Sequence, residues 1–66
     1  MKVNTLAIRL AMGEETQQSL SKRAGISRAT MNTILRKGSG SMPSIIKIAH
    51  ALKLEAEEII HKDEKH

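Results

Sequence analysis

The chain has 66 residues and a formal net charge of +4, which limits it to one small domain with excess positive charge. It has no cysteine, which excludes disulfides and thiolate zinc sites, favours the cytoplasm and leaves helix packing to stabilise the fold. It also lacks Phe, Tyr and Trp, which argues against modules that stack single-stranded bases, and no apolar stretch approaches the roughly 20 residues of a membrane span.

The charges are segregated along the sequence. Residues 17–53 contain no Asp or Glu, whereas the acidic residues all precede or follow this window. The basic residues within it are Lys22, Arg23, Arg28, Arg36, Lys37, Lys47 and Lys53. Such segregation favours a polyanionic partner, because neutralised phosphates release their counterions. The alternative is the lysine-rich surface of an ordinary soluble protein.

The first predicted element covers residues 3–12, a short and strongly apolar segment. The alternation from Leu6 onward is compatible with a strand. However, alanines fill the alternate positions and Asn4 or Thr5 offers an N-cap, so the pattern favours a helix. Gly13 predicts the end of this helix.

The next two elements form a helix, a tight turn and a second helix. Thr16 offers an N-cap for the earlier helix, whose apolar residues include Leu20 and Ala24. Gly25 can adopt the left-handed backbone that a sharp corner requires, and Ser27 offers the cap of the following helix. The sequence therefore predicts a helix-turn-helix.

The helix after the turn has two chemically different sides. Its predicted buried stripe is Met31, Ile34 and Leu35, at positions i, i+3 and i+4. At 100° per residue Ala29, Thr33 and Arg36 point away from this stripe. Asn32 and Lys37 flank them, and Arg28 projects from the exposed first turn. This outward side has the hydrogen-bonding groups needed to contact base edges.

A glycine-serine connector, residues 37–40, precedes the fourth predicted helix. It lacks the strand, spacing and lysine of a phosphate-binding NTPase loop, so we expect a flexible connector that offers backbone amides. Ser41 is the predicted cap of the fourth helix and Pro43 lies in its tolerant first turn. Its predicted apolar face is Ile45, Ile46, Ile48, Ala49 and Leu52.

A last short helix is expected around residues 56–60, followed by a charged, frayed tail at 62–66. Residues 1–61 are thus predicted to form one domain, with no internal repeat and no long linker. The sequence ends soon after this helix. A separate oligomerisation and self-cleavage domain is therefore not expected within it.

The order of these elements and their residues resemble the lambda-type repressor and Cro family, also called the Xre-like helix-turn-helix family. The resemblance spans nearly the whole chain and is strongest over residues 17–35. Residues 48–60 look like the family's closing pair of helices. The resemblance implies an all-α fold of five helices, in which the third lies in the major groove of DNA and the second crosses the backbone.

The resemblance places the family's base-reading positions on Arg28, Ala29, Asn32 and Thr33. Their chemistry is suitable, because arginine can chelate guanine, asparagine can pair with adenine, and the methyl groups can meet thymine. Simpler alternatives remain open. Arg28 could be a surface arginine or a phosphate clamp, and Asn32 an ordinary exposed polar residue.

The family's phosphate-contacting positions fall on Gln17, Ser27 and the loop before the fourth helix, which contains Ser39. Gln17 could also brace the start of the third helix against Arg28, or be a plain first-turn residue. Arg36 and Lys37 close the third helix. There they could contact phosphate or only stabilise the helix dipole.

These residues predict a sequence-specific, double-stranded DNA-binding transcriptional regulator. The expected form is a repressor that binds a two-fold operator as a homodimer, with half-sites about 10 bp apart. Ile59 and Ile60 are the predicted dimer contacts, and the alternative is that both are buried in the core. A second function remains open, namely an antitoxin-type or other module that binds a partner protein.

An enzyme is not expected from these residues. Asp63, in the predicted tail, is the only aspartate, so a Ser-His-Asp triad has no credible third member. His50, His61 and His66 do not have the spacing of metal ligands. No metal, cofactor, small-molecule substrate or membrane partner is therefore predicted.

Overall fold

A computed structural model of the chain describes residues 2–60 and contains five helices in that range. They are α1 (Thr5–Met12), α2 (Gln17–Ala24), α3 (Arg28–Lys37), α4 (Met42–Ala51) and α5 (Ala56–Ile59). The predicted all-α fold is confirmed. The predicted tail at 62–66 and His61 lie outside the described residues. Within residues 2–60, every helix is too short or too polar to cross a bilayer.

Three helices begin at side chains that accept a hydrogen bond from the first turn, as predicted. Asn4 accepts from the backbone N of Ala7 at 3.1 Å. Thr16 accepts from Ser19 at 3.1 Å, and Ser27 accepts from Thr30 at 3.0 Å. Each cap satisfies a donor that the helix itself leaves unpaired.

The start of α4 differs from the prediction. Ser41 occupies the N-cap position, but its side chain does not cap a backbone N–H. Instead its hydroxyl donates to Ser44 Oγ at 3.1 Å. Pro43 in the first turn favours the helical backbone there, and it removes one donor that would otherwise need a partner.

The core is entirely aliphatic apart from one methionine. Its fully buried large side chains are Ile8, Leu20, Met31, Ile34, Ile45, Ile48 and Ile59. Helix α2 packs against both α3 and α4, while α5 packs against both α4 and α1. The predicted stripe of α3 is confirmed as buried. Ile46 was predicted to belong to the apolar face of α4 but is 38% exposed.

The segment before α1 is extended, and the helix begins after Asn4, one of the two caps that the sequence offered. The backbone N of Val3 donates to Gly38 O at 2.9 Å, and that of Asn4 donates to Ile59 O at 2.7 Å. These bonds hold Val3 in the core. The segment therefore joins the loop after α3 to the end of α5.

An ion pair fixes α2 against its neighbours. Arg23 donates to both carboxylate oxygens of Glu15, with Nη2 2.7 Å from Oε1 and Nε 2.9 Å from Oε2. Its Nη1 also donates to the carbonyl of Ala51, the last residue of α4, at 2.6 Å. One of the basic residues in the acid-free window is thus engaged within the fold.

Gly40 allows the loop after α3 to lie against Ile34. A Cβ added at Gly40 would lie 2.7 Å from Ile34 Cγ1 and 3.0 Å from its Cδ1. Ile34 is almost completely buried, so it has little room to move away. A glycine is therefore required for this close approach.

The Arg23 guanidinium, together with the Ser19 hydroxyl, lowers the pKa of Glu15 from 4.5 to about 2. A carboxyl whose pKa is lower in the folded state stabilises the fold above its unfolded pKa, and this contribution disappears as pH falls through the folded pKa. Glu15→Gln should therefore lower Tm at pH 7. Its Tm should converge with that of the unchanged chain as the pH approaches 2.

The measurement is thermal unfolding followed by circular dichroism between pH 7 and pH 2. Glu14→Gln is the matched control, because Glu14 is exposed and lacks an ion pair among the described residues. It should leave Tm nearly unchanged at pH 7. Equal Tm values for Glu15→Gln and the unchanged chain at pH 7 would contradict the prediction.

Candidate nucleic-acid interface

The corner between α2 and α3 sets the direction of the exposed side of α3. Gly25 has a left-handed backbone with φ of 76°, which a residue with a Cβ adopts only at a cost. The backbone N of Gly25 and that of Ile26 both donate to Ser21 O, at 2.9 and 3.1 Å. Ser27 then begins α3 in the new direction. The predicted tight turn is confirmed.

The two sides of α3 differ in burial as predicted. Met31, Ile34 and Leu35 face the core. The opposite side is exposed at Arg28, Ala29, Asn32, Arg36 and Lys37, and half-buried at Thr33. The position of this outward face is thus established, while the role of each side chain stays a prediction.

One depression lies between the start of α2 and the outward face of α3. It has a volume of about 620 Å³ and is lined by Thr16, Gln17, Gln18, Arg28, Ala29 and Asn32. Amide and guanidinium groups from two helices therefore converge there. Gln17 and Arg28, both described, form no hydrogen bond with each other, so bracing of α3 by that contact is not present in the structure.

A second depression lies on the other flank of α3, toward the loop and the start of α4. It has a volume of about 270 Å³ and is lined by Ala29, Thr30, Thr33, Ile34, Ser39, Gly40, Ser41 and Ser44. Most of its polar groups are hydroxyls. Ala29 lines both depressions, so the first turns of α3 form a ridge between them.

The structure brings most of the predicted contact residues to this ridge and its flanks. The residues placed there are Gln17, Arg28, Ala29, Asn32, Thr33 and Ser39. Three others, Ser27, Arg36 and Lys37, line neither depression. Arg36 and Lys37 are exposed in the last turn of α3, where positive charge also complements the helix dipole.

Ser27 is already engaged within α3. Its hydroxyl accepts from the backbone N of Thr30 at 3.0 Å and donates to Thr30 Oγ1 at 2.8 Å. A phosphate needs a donor, so a contact through this hydroxyl would require it to leave Thr30. The predicted phosphate contact at Ser27 is thus in competition with the cap.

Sequence reasoning missed several polar residues that line the depressions, namely Thr16, Gln18, Thr30 and Ser44. Two had a local signal. Gln18 adjoins Gln17, and Thr30 lies three residues after the Ser27 cap, at a position whose side chain can reach the cap. The place of Ser44 depends on how the loop after α3 folds, which the sequence did not reveal.

The helix ends around this surface lack acidic residues. The first turns of α2, α3 and α4 contain none, whereas that of α5 contains Glu57 and Glu58. Unpaired N–H groups give the start of a helix a partial positive charge that favours anions. The starts of α3 and α4 thus keep this charge, whereas at the start of α2 the Glu15 carboxylate accepts from the Ser19 hydroxyl at 2.7 Å.

Neither of the two predicted dimer contacts is fully exposed. Ile59 is fully buried within the chain, so the prediction of an exposed Ile59 is wrong and the alternative of a core residue holds. Ile60 is half-buried and pairs with Val3. The reason is the extended segment before α1, which closes over the end of α5.

The family model of the Cro/C1-type HTH DNA-binding domain matches residues 2–63. No curated protein and no solved structure matches the chain.

Proposed function

Because the chain belongs to the Cro/C1-type helix-turn-helix DNA-binding domain family, we propose that it is a sequence-specific transcriptional regulator of double-stranded DNA. It binds a two-fold operator as a homodimer and represses transcription by occupying that site. The observation that most directly supports this proposal is the exposed ridge of α3, flanked by two polar depressions.

The dimensions of α3 suit a major groove. Its ten residues span roughly 15 Å at 1.5 Å per residue, and the groove is about 12 Å wide. Inserting the ridge places Arg28 and Asn32 where they can reach base edges. Arginine can donate two hydrogen bonds to guanine O6 and N7, and asparagine can donate to adenine N7 while its amide oxygen accepts from N6.

The flanks of the ridge suit the DNA backbone. Gln17 lies on one side and Ser39 on the other, so each can donate to a phosphate bordering the groove. The starts of α3 and α4 add positive potential without opposing carboxylates in their first turns. Backbone contacts of this kind fix the orientation in which α3 reads the bases.

A second candidate function is an antitoxin-type module that binds a partner protein as well as DNA. The observation that favours it is the exposure of Leu6 and Leu10 on α1, at 64% and 73%. Neither lines the depressions around α3. A partner protein bound there would leave the proposed DNA-binding face uncovered.

Selection of binding sites from random duplex DNA tests the main proposal. We expect enrichment of a two-fold symmetric site whose halves lie about 10 bp apart. Binding should weaken steeply with salt, because phosphate contacts release counterions. No enrichment at any salt concentration would favour the protein-binding alternative.

Arg28→Ala should relax the preference at one base pair in each half-site by about 1 to 3 kcal/mol, because a bidentate guanine contact is lost. The measurement is binding to the selected site and to single-base variants of it. Lys47→Ala is the matched control. The substitution removes one exposed charge from α4, and Lys47 lines neither depression. Equal weakening on all sequences would make Arg28 a phosphate contact.

Arg36→Ala and Lys37→Ala should each reduce the salt dependence of binding without altering sequence preference. The slope of log K against log salt should fall by about 1 for each phosphate contact removed. Affinity measured across a salt series checks this. An unchanged slope would mean that these residues stabilise the dipole of α3 and do not contact phosphate.

A further inference from the structure

The outer face of α1 is the most exposed apolar surface among the described residues. Leu6 is 64% exposed and Leu10, one helical turn later, is 73% exposed. Ile8, on the opposite side of the helix, is fully buried and anchors α1 in the core. The leucine face, defined by Leu6 and Leu10, is therefore not required for packing within residues 2–60.

The rest of the sequence offers little to cover the leucine face. Outside the described range it contains Met1 and residues 61–66, and the latter are all polar or charged. Burying two leucine side chains needs apolar surface of similar size. Residues 61–66 do not supply such a surface.

We propose that a second copy of the chain packs antiparallel on the leucine face about a two-fold axis. In this arrangement Leu6 of one copy lies against Leu10 of the other, and the same contact is repeated by symmetry. A two-fold interface joins identical patches, and two leucines one turn apart form a patch that is complementary to itself.

The charges at the two ends of α1 support the antiparallel direction. Lys2 precedes the helix and Glu14 follows it, and both are exposed. Among the described residues neither takes part in an ion pair. An antiparallel pair brings the Lys2 end of one copy to the Glu14 end of the other, whereas a parallel pair opposes like charges.

The position of the leucine face also fits the proposed function. Helix α1 packs against α5, where the sequence placed the dimer contact at Ile59. Ile59 is buried, and of the exposed apolar pairs on the helices that contact α5, the leucine face is more exposed than Met42 and Ile46 on α4. This inference deepens the proposed function and rests on it for the two-fold operator, but self-association requires no DNA.

Two leucines per copy form a small contact compared with a typical stable interface. The dimer is therefore weak in solution and becomes stable when both copies hold adjacent half-sites on one duplex. Binding of the first copy then raises the effective concentration of the second.

Sedimentation equilibrium of the whole chain over a wide concentration range tests the proposal. The unchanged chain should form dimers, and the double variant Leu6→Ala, Leu10→Ala should raise the dimer Kd at least tenfold. Met42→Ala with Ile46→Ala is the matched control, because these residues are the other exposed apolar pair, at 39% and 38%. It should change the Kd less than twofold.

A monomer at all concentrations, or a larger effect from the Met42 and Ile46 control, would overturn the proposal. Circular dichroism of each variant checks that the helices are retained. Because Leu6 and Leu10 are exposed, both variants should keep their helical signal.

A charge exchange tests the direction of pairing. Lys2→Glu alone and Glu14→Lys alone should each weaken the dimer, because like charges then meet. The two substitutions together should restore it. Failure of the double variant to recover dimerisation would overturn the antiparallel arrangement.

Binding to duplexes with one or two selected half-sites separates this inference from the proposed function. The leucine variant should bind one half-site with unchanged affinity and lose cooperativity on two. A chain that dimerises but binds no duplex retains this inference and overturns the proposed function. A chain that stays monomeric and binds each half-site independently overturns this inference and the homodimer, but retains sequence-specific DNA binding.

Discussion

The burial of one side of α3 is the constraint on which the rest of the structure depends. Met31 and Ile34 anchor the helix in the core, and this fixes which side chains face outward. Ile34 also determines the path of the following loop, because the backbone at Gly40 lies directly against it. The same buried residue therefore supports the ridge and shapes one of the depressions beside it.

Two of the acidic residues have a defined role in the fold. Glu15 holds Arg23, and Glu58 accepts from the backbone N of Glu55 at 2.9 Å to begin α5. Neither lines the depressions around α3. Positive charge is likewise divided, since Arg23 joins α2 to α4 while Arg28, Arg36 and Lys37 stay exposed on α3.

Local features were predictable from the sequence and distant pairings were not. Caps such as Thr16 and Ser27, and the stripe of α3, involve residues within four positions of each other. The burial of Ile59 and the extended backbone at Val3 depend on hydrogen bonds between opposite ends of the described range. Likewise, helical periodicity in the sequence placed Arg28 and Asn32 on one face. The second depression could not be predicted in this way, because it depends on how the loop after α3 folds.

The extended segment before α1 has a consequence for how the chain folds during synthesis. Asn4 is translated early, yet its backbone partner Ile59 leaves the ribosome only after α1 to α4 have been made. Likewise, the backbone N of Val3 cannot donate to the carbonyl of Gly38 until Gly38 has been translated. The nascent helices can form in order, but the closure that buries Val3 is delayed until nearly the whole described range is available. The domain thus completes its fold only after α5 has been made.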